Sequence, residues 1–278
     1  MEHPPPETVA ARLRWWAQTD RGKIRKNNED SFLCLQFDAH EIAYLGKIGE
    51  ASTGHMDFVF AVSDGLGGAS AGEFASRVTV DKITRLLPRA YKQRAVGLRA
   101  GFDDVFEELF GAIHRALVFL GESDPDCAGM GATLSLCWFA PGRVYFAHIG
   151  DSRIYFLPAR ASGLRQISHD DTHVGWLYRN AKINEREARS HPRRNVLQKS
   201  LGAGNQFVDP QVGVVACEPG DLFLLCTDGL TEGLYDAQLQ EILRAPADEN
   251  HNPAAALVQA SLERSGRDNI TAVVIAAL

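Results

Sequence analysis

Short apolar runs with alternating polar positions, each stopped by glycine, proline or a polar pair, dominate this chain. Runs of this length, rich in β-branched and aromatic residues, predict strands at 12–18, 31–36, 57–62, 132–139, 143–148, 153–157, 211–216, 222–226 and 270–276. Apolar residues three and four apart predict helices at 70–87, 102–120, 236–243 and 254–264, with Pro88 and Gly121 ending the first two. Pro141-Gly142 reads as a hairpin turn and Gly150-Asp151-Ser152 as a second one, so this stretch predicts an antiparallel meander. Strands grouped with strands and helices in pairs predict an α+β chain, not alternating βαβ units. Two polar stretches stand apart. Residues 40–56 read as an excursion between strands, and 170–204 as short helical turns with basic residues, long enough to be functional. No internal repeat or linker divides the chain, which predicts one domain over 1–278.

Two of the apolar runs end alike, in Ser63-Asp64-Gly65 and in Thr227-Asp228-Gly229. A carboxylate at the tip of a covered strand is costly unless something positive binds it. Oxygen ligands on a stiff scaffold suit hard divalent cations such as magnesium or manganese. Asp-Gly is also ordinary turn chemistry, so either copy alone leaves both readings open. Glu29 and Asp30, just before the strand at 31–36, and Asp268, just before that at 270–276, add carboxylates at further strand boundaries. A two-cation site needs about this supply, with one carboxylate shared between the ions. Arg25 offers a planar fork suited to phosphate.

Composition narrows the classes. With 278 residues, 45% of them hydrophobic, the chain can bury a substantial core as one large domain or two small ones. Acidic residues outnumber basic ones, 35 to 29, and no Lys/Arg-rich block stands out, which argues against a nucleic-acid partner. The five cysteines (Cys34, Cys127, Cys137, Cys217, Cys226) show no C-x-x-C spacing, so neither a disulfide framework nor a zinc site is expected and a reducing cytoplasm fits. The start of the chain lacks a basic stretch followed by an apolar one, and no segment is long enough to cross a bilayer, so neither export nor membrane insertion is expected. His148 reads as a core histidine, and His169 and His173 as surface residues near the polar stretch. The Gly65 to Gly68 cluster lacks the Gly-Lys-Ser/Thr of a nucleotide loop.

The segments Arg25-x-x-Asn28-Glu29-Asp30, Ser63-Asp64-Gly65-Leu66-Gly67-Gly68, Gly129-Met130-Gly131-Ala132-Thr133, His148-Ile149-Gly150-Asp151-Ser152-Arg153, Thr227-Asp228-Gly229 and Asp268-Asn269 occur in a telling order. In order and approximate spacing they resemble the metal-dependent serine/threonine protein phosphatases of type 2C, bacterial branch, over nearly the whole chain. The resemblance implies a four-layer α-β-β-α sandwich, two antiparallel sheets face to face with helices outside and metals at one end. Residues 169–204 resemble the family's flap subdomain. By motif position Asp64 would bridge two ions, Gly65 would lend its carbonyl to one, and Glu29 would serve that same ion. Asp228 and Asp268 would hold the other, with Asp30 and Asn269 standing behind these ligands and Arg25 binding the substrate phosphate. Asp151 and Arg153 resemble a structural feature of the family more than its catalytic set.

The implied activity is hydrolysis of phosphoserine and phosphothreonine by a metal-activated water at a binuclear manganese or magnesium centre, without a phosphoenzyme. Arg25, Asp64 and Asp228 would be the catalytic set, and a third, weaker ion would draw on Asp124 or Asp126. The chain departs from the family at Leu66, where some members carry a histidine proposed to protonate the leaving oxygen. That leaves the acid open. Implied partners are phosphorylated proteins, targets of a serine/threonine kinase, met by a monomer that binds neither nucleic acid nor membrane. The alternatives are a catalytically inactive binding or sensory module, and a phosphatase of a phosphorylated anti-anti-sigma-type regulator.

Overall fold

Alternation along a strand decides which face each side chain joins, and here it sorts the apolar residues into three buried layers. A computed structural model describes residues 12–38, 40–54, 56–95, 101–245 and 251–278. The chain start, read above for its lack of a leader, lies outside them. In chain order the elements are β1 (Arg12–Asp20), β2 (Asp30–Phe37), β3 (Ile42–Tyr44), β4 (Ile48–Ser52), β5 (Asp57–Leu66), α1 (Ala69–Ala95) and α2 (Phe102–Ser123). Then come β6 (Gly131–Ala132), β7 (Leu134–Ala140), β8 (Arg143–Ile149), β9 (Arg153–Leu157), β10 (Arg165–Gln166), α3 (His173–Arg179), α4 (Glu185–Ser190) and β11 (Leu201–Gly202). The last are β12 (Gln211–Ala216), β13 (Leu222–Cys226), α5 (Asp228–Gly233), α6 (Asp236–Leu243), α7 (Pro253–Arg264) and β14 (Ile270–Ala277).

One sheet has the order β10-β9-β13-β14-β1-β4, the other β11-β6-β5-β7-β8-β12 with β2 joining β5 to β3. Both are antiparallel, from the β1–β14 pairing in the first to the β5–β7 pairing in the second. On β5, Phe58, Phe60 and Val62 face the other sheet while Val59 and Ala61 face α1 and α2. On β13, Phe223 and Leu225 face inward while Leu224 and Cys226 face α5, α6 and α7. The layers are therefore α-β-β-α, as the resemblance implied.

The middle layer is held by aromatic rings. Phe60 meets Phe139 edge-on at 5.5 Å, Phe139 meets Phe223 at 5.2 Å, and Phe223 stacks on Phe156 at 4.7 Å. Two of these rings come from each sheet, so the column spans the interface. Such geometry adds to the area burial of each ring.

Four sequence expectations need correction. The meander ends at Ile149: β8 pairs with β7 and β12, whereas β9 pairs with β13 and β10, so Gly150 to Ser152 carries the chain from one sheet to the other. Polar turn chemistry cannot by itself tell a hairpin from such a crossing. Pro88 does not stop α1, which continues to Ala95; a proline deletes one backbone donor, and the ladder resumes beyond it. Gly121 lies inside α2, where a Cβ would press within 3.1 Å of the Cys127 carbonyl, so this glycine serves packing and not termination. The excursion at 40–56 contains β3 and β4, short edge strands whose Ile42, Tyr44 and Ile48 are exposed and leave no alternating signal. Among the described residues no helix is long and apolar enough to cross a membrane.

Removing the ring at the sheet interface should be expensive. Phe223→Ala is expected to lower unfolding free energy in urea by about 3–5 kcal/mol. Phe207→Ala, whose ring is 85% exposed, should change it by less than about 0.5 kcal/mol.

Candidate active site

β5 runs past its apolar run to Leu66, so Asp64 lies within the strand and directly opposite Asp30 of β2. Thr133, between β6 and β7, grips this point from the other side. Its N–H donates to the Asp64 carbonyl at 2.8 Å, its hydroxyl accepts from the Asp64 N–H at 3.0 Å, and its carbonyl accepts from Ser63 Oγ at 2.7 Å. Beyond Leu66 the backbone turns through Gly67 (φ 119°) and Gly68 (φ 87°) into α1, a path that L side chains resist. A Cβ on Gly65 would collide with the Gly72 carbonyl, and one on Gly72 with a carboxylate oxygen of Glu29. Two bare α-carbons thus let the strand end, the first turn of α1 and Glu29 close on one another.

The sheet that holds β13 supplies Asp228 differently from the strand tip expected of it. β13 ends at Cys226, Thr227 is the N-cap, and Asp228 is the first residue of α5. Thr227 does not use its hydroxyl as a cap. It donates to Asp30 Oδ2 at 2.7 Å, as does the hydroxyl of Thr271 on β14, also at 2.7 Å. One carboxylate on β2 is thereby bonded to β14 of the other sheet and to the residue that follows β13. Asn269 orders the neighbouring loops: its Oδ1 accepts from the Glu29 N–H at 2.8 Å, and its Nδ2 donates to the carbonyls of Arg21 and Asn27. Arg25 Nη2 donates to Asp268 Oδ2 at 2.7 Å.

These segments meet in a cleft of about 220 Å³. Arg25, Glu29, Asp64, Gly65, Asp228, Asp268 and Asn269 all line it. Asp30 stands behind, buried, with its Oδ1 lacking a partner among the described residues. Three lining residues were not anticipated as site residues: Asp151, Asn195 and Leu197. Asp151 carried a usable signal, since Gly-Asp-Ser at a strand boundary has the same form as the Asp-Gly copies. Asn195 and Leu197 sit in irregular chain, where periodicity is silent. A second cavity of about 230 Å³ adjoins the first and shares Asp151, Asn195 and Asp228 with it.

Charge is the site's main property. Asp64 and Asp228 keep an edge open to the cleft, yet burial raises both carboxyls well above their usual range. Negative neighbours push further: Asp30, Asp228 and Asp151 act on Asp64, and Asp151, Asp268 and Glu232 on Asp228. Burial pushes Asp30 up to about 7 against the two threonine hydrogen bonds, which favour its ionised form. Asp151 is likewise pushed to about 7, by burial and then by Asp170. Burial also raises Glu29, with Arg25 opposing. Five crowded, desolvated oxygen acids with one arginine beside them fit a hard divalent cation in donor chemistry. As placed, no three acidic, histidine or cysteine side chains of the described residues grip a single point. Asp268 is engaged by Arg25 instead.

Other candidates fall outside the cleft. His148 is buried between Ser135 Oγ and the carbonyls of Gly150 and His169, and burial lowers it to about 4. His169 donates its backbone N–H to Gln211, and His173 stacks on Trp176. Asp124 caps a 3-10 turn at Pro125–Cys127, accepting from the Asp126 N–H, and neither aspartate lines the cleft.

The family model for protein phosphatase 2C matches residues 47–269. The serine/threonine protein phosphatase PstP of Mycobacterium tuberculosis is 34% identical over 265 residues, 94% of this chain. This chain spans only 44% of that relative's length. The serine/threonine phosphatase stp of Listeria monocytogenes is 32% identical over 259 residues, 93% of either chain. A crystal structure of the PstP catalytic domain in complex with two manganese ions superposes with a TM-score of 0.74 at 31% identity, covering 96% of this chain and 99% of that one. The length of the family match and the breadth of these likenesses lead to one conclusion, that the chain belongs to the protein phosphatase 2C family.

Proposed function

We propose that this chain is a protein serine/threonine phosphatase that hydrolyses phosphoserine and phosphothreonine at a centre of two Mn2+ or Mg2+ ions. The observation that carries the reading is the meeting of Asp64 and Asp228, delivered by different sheets, in one cleft where burial and surrounding carboxylates raise the proton affinity of both. The family membership, the names of the relatives and the two manganese ions of the mycobacterial structure support it. In this reading Asp64 would help to hold both ions. Glu29 and the Gly65 carbonyl would hold one of them, and Asp228 and Asp268 the other. Bound there, the cations supply Lewis acidity and an activated water.

The chain's own groups do the rest. Arg25, exposed along part of its length, exchanges Asp268 for the phosphate oxygens and neutralises them as the phosphoryl group transfers. That exchange would leave the Asp268 carboxylate available to hold a cation. Asp30 holds the two sheets in register beneath, and Asn269 fixes the Glu29 backbone through its 2.8 Å bond. Leu66 lines the cleft without offering a proton, so no side chain at that position assists the leaving oxygen. Residues 169–204 act as a flap whose Asn195 and Leu197 border the cleft and meet the substrate. The physiological partners in this reading are phosphoproteins made by a serine/threonine kinase, and the chain works as a cytoplasmic monomer.

Asp228→Asn should abolish nearly all manganese-dependent turnover of a phosphothreonine peptide, and full activity in that variant would overturn the assignment. Arg25→Ala should cost on the order of 2–4 kcal/mol in kcat/KM while manganese affinity, followed by calorimetry, stays nearly intact. A parallel collapse of manganese binding would mean that Arg25 is structural.

The raised carboxyls also give a sign. A group whose pKa is higher folded than unfolded stabilises the fold at low pH and loses that contribution as pH rises through its folded value. With Asp30 and Asp151 near 7, chelator-treated protein should melt at a lower temperature at pH 8 than at pH 6. Manganese should restore most of the difference in scanning calorimetry.

A further inference from the structure

The acidic balance of the whole chain hides a local exception. Residues 21–26 read Arg-Gly-Lys-Ile-Arg-Lys, four cations in six positions, which overturns the expectation that no basic block exists. All four are exposed. The loop is fastened to the one that carries Asp268: the Lys23 N–H donates to the Gly266 carbonyl at 2.7 Å, and the Lys23 stem passes over the bare α-carbon of Gly266. Gly22, at φ 75°, packs so closely on the Asp268 carbonyl that a Cβ would collide with it. The contact brings exposed Arg267 to the same side, where it lines the cavity adjoining the cleft.

Two of the basic residues are already engaged, Arg25 by Asp268 and Arg21 by the Lys26 carbonyl at 3.3 Å. The side chains of Lys23, Lys26 and Arg267 take part in no hydrogen bond or ion pair among the described residues. The acidic groups nearby are otherwise committed or face inward. Asp20 accepts from the Gly22 N–H, and Glu29 and Asp268 lie in the cleft. Lys23 and Lys26, on the loop that carries Arg25, and Arg267, on the loop fastened to it, are therefore exposed cations without a protein partner among the described residues. An extended peptide advances at most about 3.3–3.6 Å per residue, so residues one to three places from a phosphoamino acid held by Arg25 fall within reach of this rim.

We propose that Lys23, Lys26 and Arg267 form a specificity rim that selects phosphopeptides carrying aspartate or glutamate beside the phosphoamino acid. This rests on the phosphatase reading above. The rim is open to solvent, so each contact contributes modestly and is weakened by salt, and selectivity comes from several acting together.

The test compares two phosphothreonine peptides that differ only in flanking residues, aspartate in one and lysine in the other, hydrolysed by the full chain with manganese. The acidic peptide should have the higher kcat/KM, by about tenfold at low ionic strength, with the ratio falling toward one in ~0.5 M salt. The triple variant Lys23→Glu, Lys26→Glu, Arg267→Glu should invert the ratio, and Arg267→Glu alone should reduce it. Because the ratio is taken within one preparation, a general loss of activity does not imitate the effect. A ratio near one in the unmodified protein, or a preference that survives the triple variant, overturns the proposal. So does equal handling of the peptides combined with retention on phosphatidylglycerol vesicles or duplex DNA, which would make the rim a general polyanion surface. An aryl phosphate, which has no flanks, separates the two levels. Its turnover with equal handling of the peptides defeats the rim alone, whereas its resistance defeats the phosphatase reading and the rim with it.

Discussion

Repulsion between carboxylates that two sheets deliver to one spot is the constraint on which this structure depends. Asp64 and Asp30 come from one sheet, Asp228 and Asp268 from the end of the other, and Asp151 from the crossing between them. Burial and mutual charge act in the same direction on Asp64 and Asp228, so neither ionises easily without a counter-charge. Arg25 is too exposed to balance such a group by itself, with 46% of its side chain in solvent. A fold that keeps these groups together without bound cations must resist its own electrostatics.

The scaffold resists in two ways. Neutral hydroxyls and amides crowd the back of the site, where Thr227, Thr271, Thr133 and Asn269 bond to carboxylates or to the peptide groups that carry them. The approach of β5 to α1 is made through glycine pairs that leave no room for side chains, so the acidic positions cannot relax apart by repacking. Three apolar layers then fix the sheets and helices around that end.

Much of this could be read from the chain. The strands at 153–157, 211–216 and 222–226 are reproduced residue for residue, because each is a clean apolar run between turn residues. Glu29, Asp228 and Asp268 sit at or next to element boundaries, Asp64 just past the apolar run of β5 and Arg25 in the loop before β2, where the pattern changes visibly, and all five reach one cleft. The misreadings share a cause. Gly150-Asp151-Ser152 has the composition of a hairpin, and only the pairing partners, a non-local property, show that it changes sheets. Pro88 and Gly121 look like stops because propensity is local, whereas both helices continue past them. β3 and β4 lie at edges with apolar side chains in solvent, so they lack the burial that writes alternation into sequence. Asn195 and Leu197 belong to chain without periodicity, and only the folded molecule brings them to the cleft.

The column of Phe60, Phe139, Phe223 and Phe156 has a meaning beyond stability. Its stacked and edge-on rings set the gap between the sheets, and under the proposed function that gap is also the gauge for the distance between the carboxylates each sheet contributes. Interior packing behaves as a dense solid. The column then works as a spacer for the metal centre, and a ring swapped for a smaller or larger one could retune ion affinity while every ligand remained in the sequence.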